Sequence, residues 1–112
     1  MFRSRRFDDL VGRQLDLFQR GHGHLVDEAV ARRASLAQGD GETEAFGDYQ
    51  DAVEWAAEGL VEIEDAYADT LDARTAKAYR RAFRRQARRR YPLIVGAFVH
   101  VQDVTEVDED DG

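Results

Sequence analysis

The chain has no cysteine and a single proline, Pro92, among its 112 residues. Without cysteine it has no disulfide, no thiolate nucleophile and no Cys-based zinc site. With so little proline, long helical stretches are free of the residue that most often ends them. Lysine is nearly absent too, since Lys77 is the only one and every other basic residue is arginine. Aspartate outnumbers glutamate. A GC-rich genome or adaptation to high salt produces this bias, and both point to a prokaryotic source. Long apolar runs are missing as well. The longest, Leu93 to Val99, is far short of the roughly 20 residues that span a bilayer. The basic start, Met1-Phe2-Arg3-Ser4-Arg5-Arg6-Phe7, meets Asp8 and Asp9 where a signal peptide needs its apolar region. A cytoplasmic protein without a membrane segment is expected. Ser4 and Ser35 are the only serines and neither lies in a G-x-S-x-G motif, and the scattered glycines form no phosphate-binding loop. No enzyme activity and no cofactor are expected.

What remains is the composition of a folded helical protein. Apolar residues make up 43% and aromatic residues 10% of a chain with formal net charge −7, and Ala, Arg, Glu and Leu all favour helix. A first helix is expected from about Arg5 to Ala37, with Phe7, Leu10, Val11, Gln14, Phe18, His22, Leu25, Ala29 and Leu36 on one side. Gly21 and Gly23 each weaken it by ~1 kcal/mol relative to alanine and predict a kink or a break. Gln38-Gly39-Asp40-Gly41 reads as a turn. A second helix begins between Thr43 and Asp48. Phe46, Tyr49, Val53, Ala56, Leu60, Ile63, Tyr67 and Thr70 alternate spacings of three and four along it, the seam of a heptad pattern. Asp51, Glu54, Glu58, Glu62, Asp65 and Asp69 form an acidic stripe opposite, and Glu64 sits at the seam's edge without an evident partner. Asp72 is a good N-cap for a third helix from about Ala73 to Arg90. Beyond Pro92, the run Leu93–Val101 predicts a kinked continuation, with an extended segment as the alternative.

Long helices joined by short turns pack antiparallel. The expected fold is all-α, an antiparallel up-down three-helix bundle. A kinked or short extra C-terminal element follows Pro92, and the acidic tail is expected to be disordered. The single domain covers 1–104 and the tail 105–112.

The third helix carries the most distinctive pattern. At about 100° per residue, Arg80, Arg81, Arg84, Arg85, Arg88 and Arg89 share one broad side, with Ala76, Tyr79, Phe83 and Gln86 opposite. A positive stripe on an acidic chain suits a negatively charged partner, although a solvated helix face explains it as simply. Within one bundle the arginine and acidic stripes point away from the shared core, so they are expected to meet only between subunits. Trp55 lies on the flank of the second helix beside the small residues Ala52, Gly59 and Ala66. It either packs under the first helix or the C-terminal run, or forms an apolar interface patch.

These patterns predict a non-enzymatic protein-protein interaction or self-association module. Its expected contacts are the flank around Trp55 and the stripe of Arg80, Arg81, Arg84, Arg85, Arg88 and Arg89, and its expected partner is a second copy, as a dimer, or another protein. A nucleic-acid-binding module with Arg80–Arg90 on phosphates is the alternative; the acidic total charge and the lack of a helix-turn-helix pattern count against it. A metal-binding bundle comes third. His22 and His24, two residues apart, share no helix face. Glu58 and Glu62 lack the Glu-x-x-His spacing of di-metal bundles. No metal site is expected.

Overall fold

The computed structural model describes residues 6–39 and 43–96, the side chains of 43 and 44 excepted. The described residues are all-helical, with α1 at Asp8–Ala37, α2 at Thr43–Ala68 and α3 at Ala73–Arg90. Residues 92–96 are helical again. Among the described residues, no helix is long and apolar enough to cross a membrane. The expected tail at 105–112 and the end of the run after Pro92, from 97 onward, lie outside the described residues.

Each boundary has a local cause. Asp8 and Asp9 occupy the first turn of α1, where negative charge complements the exposed N–H groups. After its last turn, the Gly39 N–H donates to the Leu36 carbonyl at 3.0 Å. Gly39 adopts φ +87°, a left-handed conformation that glycine adopts without steric cost. The Asp72 carboxylate caps α3 by accepting from the Thr75 N–H at 2.8 Å and the Thr75 hydroxyl at 3.1 Å. Those bonds hold its carboxyl below the usual aspartate range. Tyr91, at φ −135° and ψ 62°, breaks the helical path. Pro92 then opens the next helical stretch at a position where its missing N–H goes unused, and the Val95 N–H donates to the Tyr91 carbonyl at 2.9 Å. The continuation is thus helical through residue 96, rather than extended.

The predicted break in α1 is not found: the helix runs unbroken through Gly21 and Gly23. Packing explains Gly23. The Gln19 side chain fills the space a Cβ at Gly23 would take, and from there it accepts a hydrogen bond from the Tyr91 hydroxyl at 2.6 Å. A second glycine, Gly59 on α2, admits the His22 ring of α1; a Cβ there would stand 2.8 Å from its Cδ2. The ring cannot easily retreat, because it stacks on Phe18 at 5.2 Å with the planes 6° apart. Gly59→Val is therefore expected to destabilise the protein by ~2 kcal/mol through overpacking. Adding His22→Ala should recover most of that loss in urea denaturation. Wild-type stability for Gly59→Val alone would refute this close approach.

The buried face of α2 is rotated from the predicted seam. Ala52, Val53, Ala56, Ala57, Leu60, Glu64 and Ala68 are buried, whereas Tyr49, Ile63 and Tyr67 are half-covered and Thr70 is exposed. Phe46 is 48% exposed. α2 packs against two helices, so its covered stripe is wider than a single seam and is lined by small residues. Leu15, outside the predicted stripe of α1, is also fully buried.

Contacts along α1 and α2 run in opposite order, with His22 against Gly59 and Arg32 against Asp48 at 3.6 Å. α3 touches both helices. Tyr79 is fully buried between them. Its ring meets Phe7 edge-on at 5.5 Å and lies 4.8 Å from Tyr67 and 5.9 Å from Phe83. Its hydroxyl donates to Gln14 Oε1 at 2.7 Å, and burial raises its pKa. The molecule measures 46 × 30 × 27 Å.

Candidate interaction surface

Segregation of charge by helix sets up the surface. α2 contains no lysine or arginine, and α3 contains no aspartate or glutamate. Within α3, then, the arginines have no carboxylate neighbour, and any partner must come from elsewhere.

The predicted stripe divides in two. Arg80 and Arg84 turn inward along the α2–α3 boundary. Arg80 Nη1 donates to Asp65 Oδ1 at 2.8 Å and lies 3.5 Å from Glu64 Oε1, while Arg84 Nε donates to Glu64 Oε2 at 3.1 Å. This corrects the expectation that acidic and basic residues of one chain cannot meet. Asp65 and Glu64 stand at the α3 edge of α2, and the long arginine stems reach around the flank to them. Arg85 lies 3.8 Å from Asp8, and Arg90, outside the predicted set, lies 3.1 Å from Asp16.

The outer part of the stripe remains in solvent. Arg81, Arg88 and Arg89 are exposed, and so are Arg74 and Lys77. No carboxylate of the described residues forms an ion pair with any of these five. On α2 the exposed acidic side holds Asp51, Glu54, Glu58, Glu62 and Asp69.

Glu64 departs most from the sequence reading. It is fully buried and partnered by Arg84 and Arg80, although its position at the seam's edge shows no evident partner. Burial raises its pKa, opposed in part by Arg84 and then Arg80. Its Oε1 has no hydrogen bond and lies 3.5 Å from Arg80 Nη1. A seam pattern treats position 64 as a flank, and nothing short of the α2–α3 packing reveals the pair.

Trp55 is 55% exposed. Among the described residues, neither α1 nor the stretch after Pro92 covers it, the placement expected first. Ala52 and Gly59 beside it are buried and Ala66 is exposed, which leaves a large indole on a surface of small neighbours. Leu17 and Val30 on α1 are further exposed apolar side chains.

The remaining candidates stand apart from one another among the described residues. His22 packs on Phe18 with its Nδ1 unbonded, and His24 is exposed. Among the described residues, no group of three His, Asp or Glu side chains is placed to hold a metal ion. No known family model matches the chain, and no curated protein or solved structure is significantly similar to it.

Proposed function

We propose that this protein is a non-enzymatic helical association module working in the cytoplasm, folded as an antiparallel up-down three-helix bundle and most readily acting as a homodimer. The observation that carries the reading is the exposed row Arg74, Lys77, Arg81, Arg88 and Arg89, which has no ion-pair partner among the described residues. An exposed Trp55 adds apolar area of the kind enriched at interface centres. Charge on such a surface governs orientation and partner choice more than affinity. Arg80 and Arg84, spent within the chain on Asp65 and Glu64, do not belong to the contact.

The test is a variant with Lys77→Gln, Arg81→Gln, Arg88→Gln and Arg89→Gln together. Its association is expected to weaken at least ~10-fold in sedimentation velocity, with thermal unfolding nearly unchanged because exposed substitutions move stability by only about 0.5 kcal/mol each. Unchanged association would remove the stripe from the contact. Nucleic-acid binding, the second reading, draws on the same acid-free helix. It predicts 260 nm absorbance carried through purification and affinity that falls steeply with salt.

A further inference from the structure

The α2–α3 side of the molecule carries two charge rows with the same spacing. Glu58, Glu62, Asp65 and Asp69 recur along α2 at intervals of four, three and four. Lys77, Arg81, Arg84 and Arg88 recur along α3 at the same intervals. That spacing reads identically in both directions, so the rows match when the helices run antiparallel. Each row extends ~17 Å at the helical rise.

The ion pair of Asp65 with Arg80 and that of Glu64 with Arg84 fix which residues share a level. Two turns back from Asp65 brings Glu58 to the level of Arg88, and one turn on brings Asp69 to the level of Lys77. Yet Glu58, Glu62, Asp69, Lys77, Arg81 and Arg88 are all exposed and make no ion pair with any described residue. The rows lie side by side, and only their inner members, Asp65 and Arg84, are joined across the boundary by in-chain pairs.

We propose that this face binds a second copy of the chain, α3 of each copy lying over the acidic row of α2 of the other. The inference rests on the association reading above and names its partner surface. A two-fold axis parallel to the helices keeps every residue at its own level while exchanging the two helices. Glu58 then faces Arg88 of the second copy, Asp65 faces Arg81, and Asp69 faces Lys77. Both helix contacts form at once, so the interface closes as an isologous dimer. A two-fold axis across the helices would instead set α2 on α2, acid against acid. Trp55, one turn before Glu58, borders the acidic row. A guanidinium of the second copy reaches its indole face there, a favourable cation–π placement. Nucleic acid suits this face less, because the exposed α2 carboxylates adjoin the arginines and repel phosphate.

Two complementary charge reversals test the pairing. K77E/R81E/R88E makes both rows acidic, and E58R/E62R/D69R makes both basic. Each variant alone is expected to dimerise at least ~100-fold more weakly than wild type while retaining its helical circular dichroism. An equimolar mixture restores opposite charges at both contacts and should return a dimer within ~10-fold of wild-type affinity. The mixture should also show a blue shift of Trp55 fluorescence, as expected for wild-type association. R13E/R20E/R33E, an equal charge change on exposed residues of α1, should leave the dimer intact.

Wild-type-like association of either reversed variant overturns the proposal. So do folded, monomeric reversed variants that fail to combine; if the four-glutamine variant is then also impaired, the stripe still associates and only its α2 partner is wrong. A monomeric wild type overturns self-association altogether, and duplex DNA binding lost in K77E/R81E/R88E would assign the arginines to nucleic acid.

Discussion

Glu64→Ala is expected to lower the unfolding free energy by ~3 kcal/mol, the lower end of what removing one partner of a buried ion pair costs. Two effects combine. The substitution takes the carboxylate away from the Arg84 and Arg80 guanidiniums, and it leaves a gap in the α2–α3 boundary. The lower end applies because Arg84 and Arg80 are 27% and 32% exposed and can turn towards water once the carboxylate is gone. Glu64→Gln retains the volume and an acceptor for Arg84, so its loss should be smaller. Urea denaturation of the three proteins gives this order, and a fully stable Glu64→Ala variant would contradict it.

Acidity supplies an independent check of the same site. Burial raises the Glu64 pKa above the ordinary glutamate value of 4.5 despite both arginines. The folded protein thus holds this proton at pH values where the unfolded chain has released it. The part of Glu64's contribution that this proton supplies is fully present below about 4.5 and is lost as pH rises through the folded pKa, while the contacts that Glu64→Ala removes remain. The stability of wild type minus that of Glu64→Gln should fall as pH rises through this window. A difference that grew with pH would mean that the arginines outweigh burial. Asp72 works in the opposite sense: its cap bonds lower its pKa, so its contribution disappears as pH falls through the folded value.

Tyr79→Ala is expected to cost ~4 kcal/mol, as truncation of a buried aromatic does. The ring is fully buried and touches Phe7, Tyr67 and Phe83, so its loss loosens α1, α2 and α3 together. Tyr79→Phe keeps the ring and gives up only the bond to Gln14, at ~1 kcal/mol. The gap between the two variants in thermal or urea unfolding measures how far the aromatic cluster, rather than its hydrogen bond, joins the helices. A Tyr79→Ala variant within ~1 kcal/mol of wild type would refute this role.

Features governed by local chemistry were legible in the sequence. The Asp72 cap, the turn at Gly39 and the helical restart at Pro92 each depend on a few adjacent residues, and each stands close to where the pattern puts it. Features governed by packing between helices were less so. Gly23 reads as a helix breaker because its use, room for a Gln19 side chain that binds Tyr91, depends on a residue far along the chain. Glu64 reads as a seam-edge acid because its partners lie on the next helix. The arginines read as one stripe because angular position does not distinguish Arg84, which reaches Glu64, from Arg88, which stays in solvent. The exposure of Trp55 is not readable from its place on α2, because it depends on how far the neighbouring helices extend over it.

The central claim, that this helical protein works by associating through its α3 surface, is tested most directly by the light-scattering mass of the wild-type chain across a concentration series, with the ultraviolet spectrum read through the same peak. The account predicts a mass that rises from the 12.7 kDa monomer to twice that value and stops there, with no excess absorbance at 260 nm. A mass that stays at 12.7 kDa at every concentration would contradict it.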